Sequence, residues 1–108
     1  MVNANRDCKI LVCIPAFNEA RAIAEIIRRS RKYAGDIIVY DDGSSDNTYE
    51  AATAAGAIVI RNPENKGYGV AIRSLFQAAK EQDADIMVTL DSDGQHNPDE
   101  IPDLIELL

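Results

Sequence analysis

Tryptophan is absent from the 108 residues, histidine occurs once (His96) and cysteine twice (Cys8, Cys13). Two sulfurs do not make a zinc site, which takes four ligands, mostly Cys and His. On one extended segment, Cys8 and Cys13 point to opposite faces, so a bridge between them is not expected. Both are read as reduced thiols, Cys13 as a small core residue. Basic residues are the scarcer charge, 11 against 18 acidic, for a net −7. With no basic block and no basic–aromatic stripe, nucleic acid is excluded as a partner. No apolar run approaches the ~18 residues a membrane span needs. The opening Met1-Val2-Asn3-Ala4-Asn5-Arg6-Asp7 lacks the apolar core of a signal peptide, so a cytoplasmic location is the default expectation.

What is there is an ordinary globular composition, 46% apolar, and a length that allows one domain at most. Residues 1–8 read as a flexible polar leader and 9–108 as the folded unit. The run Lys9 to Ile14 is continuous and apolar, the signature of a strand buried on both faces of a parallel sheet. Pro15 ends it. Asn18 is the expected N-cap of a first helix carrying Ile23, Ile26 and Ile27 on one face, with cations near its end and Gly35 closing it. The pattern then repeats. Asp36 to Tyr40 is a second strand. A helix from Ser45 or Asp46 to Gly56 has a small face, Ala51, Ala52, Ala54 and Ala55. Ala57 to Ile60 is a third strand, and Arg61 to Gly67 a loop. A third helix runs from Tyr68 to Gln82 with Val70, Ile72, Leu75, Phe76 and Ala79 as its apolar set, and Ile86 to Leu90 is a fourth strand. Asn97, Pro98 and Glu100 resemble a capping box with proline in the first turn, and a regular helix is expected from Pro102. Alternation of this kind predicts an α/β fold: an open parallel sheet of about four strands with alternating helices and right-handed crossovers.

Three of the four strand ends are polar on the side where such sheets bind ligands. The first ends in Pro15-Ala16-Phe17-Asn18-Glu19, the second in Asp41-Asp42-Gly43-Ser44, the fourth in Asp91-Ser92-Asp93; the opposite ends carry one charge each, Lys9, Asp36 and Asp85. Solvated loops alone would make both ends polar, so the asymmetry points to a site. In an extended backbone Asp91 and Asp93 face the same side. Such a pair repels unless a cation sits between its members, and hard oxygen ligands in a hydrated site suit Mg²⁺ or Mn²⁺, ions that also hold substrate phosphates. A nucleoside diphosphate fits the set. Asp42 would accept from a base NH or a ribose hydroxyl, Phe17 would contact the base, and a cation at Asp91 and Asp93 would bridge the phosphates. Arg73 would reach a phosphate. Gly67-Tyr68-Gly69 is a weak echo of a phosphate-cradling turn, with Lys66 and Tyr68 read as surface residues, and His96 as a polar loop residue.

Four segments together, Ile14 to Glu19, Val39 to Asp46, Asn65 to Arg73 and Asp91 to Pro98, resemble the N-terminal half of family 2 glycosyltransferases, especially dolichyl- or polyprenyl-phosphate mannosyl- and glucosyltransferases. The resemblance covers residues 9 to 108. It implies a Rossmann-like GT-A nucleotide-diphospho-sugar transferase fold, here truncated, and inverting transfer from a GDP-mannose or UDP-sugar donor. It implies Pro15, Phe17 and Glu19 along the nucleotide, Asp42 on base or ribose with a backbone contact near Tyr40, and Arg73 in the Gly-rich segment. Asp91, Ser92 and Asp93 stand at the family's Asp-x-Asp, where Asp91 and Asp93 are the expected catalytic and metal-holding residues. Phe17 departs from the family, which often has Tyr there. The implied acceptor is a lipid phosphate, met by a protein peripheral to the cytoplasmic membrane face.

The chain stops where relatives continue into their acceptor half, so a homodimer covering the exposed strand edge and last helix is expected. The rival reading is a non-catalytic nucleotide-binding or interaction module of the same fold. A phosphoacceptor signalling domain would place its acidic pair after the first strand, and a sugar-nucleotide pyrophosphorylase its Gly-rich Arg loop. Neither stands there.

Overall fold

The computed structural model describes residues 8–91 and 98–101. The expected leader falls mostly outside them, as do Ser92, Asp93, His96, Asn97 and the helix expected from Pro102. Four strands form one parallel sheet: β1 (Ile10–Ala16), β2 (Asp36–Asp42), β3 (Ile58–Asn62) and β4 (Ile86–Thr89), in the order β3-β2-β1-β4. The connecting helices are α1 (Ile23–Ser30), α2 (Thr48–Ala54) and α3 (Tyr68–Glu81), followed by a 3-10 turn over Pro98–Glu100.

Strand parity sorts the core into two layers. Val12, Ile14, Ile37 and Val39 pack with Ile23, Ile26 and Ile27 of α1 and Ala52 of α2 on one face. Leu11, Cys13, Ile38 and Tyr40 pack with Ala71, Leu75, Ala78 and Ala79 of α3 on the other. Because successive residues of a strand face opposite ways, both faces of β1 and β2 must be apolar, which explains their uninterrupted runs. At the N-terminal end of the sheet, Lys9 lies 3.7 Å from Asp36, and its backbone N–H donates to Asp85 at 2.7 Å. Both carboxylates noted there in the sequence are thus engaged by Lys9, Asp36 by its ammonium and Asp85 by its backbone.

Several expected boundaries move. The first helix begins at Ile23, with Ala22 rather than Asn18 at its N-cap, and ends at Ser30 before Gly35. Asn18 sits at φ 55° and spends its side chain elsewhere. The second helix starts at Thr48 and closes at Ala54. β3 runs on through Arg61 and Asn62, which the sequence assigns to a loop, because they pair with Asp41 and Asp42 of β2. On α3 the sheet-facing positions are mostly small, and Phe76 is 55% exposed rather than in the core. The 3-10 turn is tied to α1 and the turn after it: Arg29 and the Tyr33 hydroxyl both donate to Asp99, at 2.8 and 3.0 Å. These bonds hold the Asp99 carboxyl below the usual carboxylate range and raise Arg29 and Tyr33.

Cys13 is fully buried at the sheet centre, and burial pushes its thiol up to about 12. A thiol that high is inert in native protein. Ellman's reagent at pH 8 is expected to titrate the partly exposed Cys8 in the folded chain and Cys13 only on unfolding. Two rapidly reacting thiols in native protein would contradict this core arrangement.

Candidate functional site

Chain direction places the site. From β1 the sheet grows through β2 and β3 to one side and, after α3, through β4 to the other. The reversal lies between β1 and β4, and beyond the C-terminal ends of such a pair the loops part and leave a crevice. A cleft of about 460 Å³ is present there, lined by Pro15 at the penultimate position of β1, which runs on past the proline expected to end it, Phe17 and Glu19 after it, Asp42 at the last position of β2, Asn65, Gly67, Tyr68 and Ala71 around the start of α3, and Asp91 after β4.

Five of the sequence-predicted site residues, Pro15, Phe17, Glu19, Asp42 and Asp91, therefore converge on one cavity. Ser92 and Asp93 lie outside the described residues. Tyr40 and Arg73 are not among the lining residues. Tyr40 is buried under α3, and its hydroxyl accepts from the Asn62 amide at 3.2 Å. Arg73 is on the exposed side of α3, with its guanidinium folded back beside Gly69, one turn from the cleft wall. Tyr68, read from sequence as a surface residue, is exposed (63%) but faces the cleft at the first position of α3. It stands with Phe17, 45% exposed, as a second aromatic on the lining. Large apolar side chains left this open to water at a cleft are suited to the face of a planar ligand. Two aromatics that meet only through the fold carry no shared sequence signal.

Parity also distinguishes the paired aspartates of β2. Asp42 shares its side with Ile38 and Tyr40 and faces the cleft; Asp41 shares its side with Ile37 and Val39 and is fully buried. The Asp42 carboxylate accepts from the backbone N–H of Lys66 at 2.7 Å and of Gly67 at 3.0 Å, so it fastens the loop that leads into α3. The Gly67 N–H is thereby committed to protein, which removes it from the phosphate-cradling turn suggested by the Gly-x-Gly pattern. Each carboxylate oxygen keeps a further lone pair for a ligand donor. Asp41 accepts from the Ser44 N–H at 3.0 Å; its other oxygen has no hydrogen-bond partner among the described residues, and Arg61 Nε stands 3.8 Å away.

A divalent cation fits the chemistry of the described donors. Mg²⁺ and Mn²⁺ take hard oxygens, and Mg²⁺ typically uses one or two carboxylates plus substrate phosphates and waters rather than an all-protein cage. Asp91 presents such a carboxylate at the cleft, next in space to the β1 loop. Among the described residues no three His, Cys, Asp or Glu side chains group closely enough to hold an ion by themselves. No helix among them is long and apolar enough to cross a membrane.

Comparison with known proteins agrees with this geometry. The family model described as glycosyl transferase family 2 matches residues 11–108. The chain is 36% identical over 118 residues to a UDP-N-acetylglucosamine–dolichyl-phosphate N-acetylglucosaminyltransferase of Methanococcus voltae, covering 93% of this chain and 47% of that protein. It is 38% identical over 112 residues to an undecaprenyl-phosphate 4-deoxy-4-formamido-L-arabinose transferase of Klebsiella pneumoniae, covering 91% and 33%. Among solved structures it is similar to glucosyl-3-phosphoglycerate synthase from Mycobacterium tuberculosis in complex with Mn²⁺, UDP and glucosyl-3-phosphoglycerate. The TM-score is 0.77 at 30% identity, over 95% of this chain and 40% of that one. The chain thus spans less than half the length of these relatives.

Proposed function

The chain belongs to glycosyl transferase family 2, and we propose that its cleft holds the nucleotide-diphospho-sugar donor of an inverting hexosyl transfer to a polyprenyl phosphate. The observation that carries this reading is the convergence of Pro15, Phe17, Glu19, Asp42 and Asp91, from three separate strand ends, on a single cavity. The activities of the Methanococcus and Klebsiella relatives support a lipid-phosphate acceptor, met at a membrane surface. The Mn²⁺ and UDP in the mycobacterial synthase support the donor and the cation.

In this reading Phe17 and Tyr68 offer their ring faces to the base, and Asp42 accepts from a base NH or a ribose hydroxyl while holding the Lys66–Gly67 loop. Asp91 and Asp93 would hold the cation, which would supply positive charge where negative charge grows on the departing diphosphate. The bond from the anomeric carbon to the diphosphate oxygen breaks as an acceptor phosphate oxygen attacks the opposite face, so the sugar inverts and the nucleoside diphosphate leaves. An acceptor phosphate is already ionised near neutral pH, so no side chain has to remove a proton from it. Arg73, exposed one turn along α3 and outside the lining, would reach the diphosphate only by swinging its guanidinium from Gly69 into the cleft.

Calorimetric titration of UDP and GDP, with and without Mn²⁺, tests this on the wild type and on Asp91→Ala/Asp93→Ala. We expect Mn²⁺-dependent binding of one nucleotide, weakened at least ~30-fold in the double variant, about 2 kcal/mol of binding free energy. A folded wild-type chain that binds neither nucleotide overturns the donor-site reading and leaves an interaction module of the same fold.

A further inference from the structure

Phe17 and Glu19 belong to a short loop between β1 and α1 whose central residue, Asn18, has φ 55°, a conformation non-glycine residues rarely adopt unaided. The loop is held from the neighbouring β2–α2 segment. The Asn18 N–H donates to the Ser44 hydroxyl at 2.8 Å, and the Ser45 N–H returns a bond to Asn18 Oδ1 at 2.8 Å. The Glu19 N–H donates to Thr48 Oγ1 at 2.8 Å, and the Ala20 N–H to Asp46 Oδ2 at 3.3 Å. Thr48 is the inner node. Its side chain is fully buried, and its hydroxyl accepts from Glu19 while donating to Asp46 Oδ1.

The same segment holds the other wall of the cleft. Asp42 fastens Lys66 and Gly67, ahead of Tyr68, and Gly43 lies against the backbone of Glu64 and Asn65. The spacing between the two aromatics is therefore governed by residues 42–48, of which only Asp42 lines the cleft.

We infer that Thr48 is a positioning residue of this site: its buried hydroxyl locks Glu19, and through it Phe17, in the arrangement that receives the nucleotide. The inference rests on the donor-site reading above. The Thr48 hydroxyl, followed by the backbone N–H groups of Thr48 and Ala20, holds the Asp46 carboxyl below the usual carboxylate range. The contribution of the Asp46 carboxylate to this network is therefore fully present above that range and is lost as pH falls through the depressed value.

Thr48→Val keeps the shape and removes both hydrogen bonds of the hydroxyl; Thr48→Ser keeps the hydroxyl. Titration of UDP and GDP with Mn²⁺ is expected to show ~10-fold weaker binding for the valine variant. The serine variant should stay within ~2-fold of wild type. Because the chain has no tryptophan, a Phe17→Trp probe reports on the wall alone, without any ligand. Acrylamide quenching of the introduced indole is expected to rise in the Thr48→Val background and to be restored by Thr48→Ser. A folded Thr48→Val that binds like wild type, or in which the indole is quenched no faster, overturns the inference. Absence of nucleotide binding by wild type removes the donor-site reading instead, and the quenching measurement still decides whether Thr48 places the wall. Should Thr48→Val fail to fold, the surface variant Asp46→Ala takes its place, with a ~3-fold weakening expected and no change overturning the proposal.

Discussion

Gly43→Ala is expected to lower the stability of the domain by about 3 kcal/mol or more and to abolish nucleotide binding. Two effects add. Gly43 has φ 74°, a region that costs an L-residue roughly 1–2 kcal/mol. A Cβ there would also lie 2.6 Å from the Asn65 backbone nitrogen and 2.7 Å from the Glu64 carbonyl carbon. Neither is the far end of a flexible side chain, so the loop between β3 and α3 has to move. Moving it strains the bonds from Lys66 and Gly67 to Asp42 and displaces the wall that carries Tyr68. Gly67→Ala separates the contributions. Gly67 also has positive φ, 95°, but a Cβ there meets nothing within 4 Å. With ψ 167° it lies in a region almost reserved for glycine, so the substitution should cost a backbone term alone, roughly 1–3 kcal/mol. Urea unfolding measures both losses; a Gly43→Ala loss no larger than its own ~1–2 kcal/mol backbone term would refute the steric account.

Asp42→Asn is the second large effect, with an expected loss of about 2 kcal/mol. The carboxylate is almost fully buried and accepts two backbone N–H bonds. Hydrogen bonds to charged acceptors contribute ~1.5–3 kcal/mol each, and a buried donor left unpaired adds its desolvation cost. Asparagine keeps one acceptor oxygen and turns an NH₂ group towards the other N–H. Hydrogen exchange should localise the change. Protection at the Lys66 and Gly67 amides is expected to fall well before that of the β1 and β2 amides. Uniform loss across the sheet, or no loss at those two amides, would show that Asp42 does not fasten the loop. Because Asp42 also faces the cleft, nucleotide binding should weaken in parallel, which makes it at once a wall support and a ligand contact.

The order of elements was legible because burial on both faces demands uninterrupted apolar runs such as Leu11 to Ile14 and Ile37 to Tyr40, while α1 shows its isoleucines at helical spacing. Helix starts were less legible. Asn18 is a good N-cap by local preference, yet its side chain bonds to Ser45, a residue distant in sequence that the parallel pairing of β1 and β2 brings alongside. Phe76 matches a helical apolar set, yet the sheet receives α3 through Ala71, Leu75, Ala78 and Ala79, whose smaller volumes allow close approach. Local pattern says that a face is apolar; the rotation of the helix against its partner decides which residues are covered.

Periodicity and motif spacing within single stretches of chain were enough for the α/β class, the parallel sheet, the polar ends of three strands and the cleft residues Phe17, Asp42 and Asp91, while Pro15 and Glu19 followed from the family resemblance. Other features came from the folded arrangement alone: Tyr68 joins Phe17 on the cleft, Asp42 faces the ligand side while Asp41 is buried, Gly67 donates its amide to protein, and Thr48 supports the Phe17 loop. These are relations between segments that meet only after the sheet has set their register. No hydrogen bond between residues some 25 positions apart leaves a trace in local pattern, because the free energy that selects it comes from packing the whole domain.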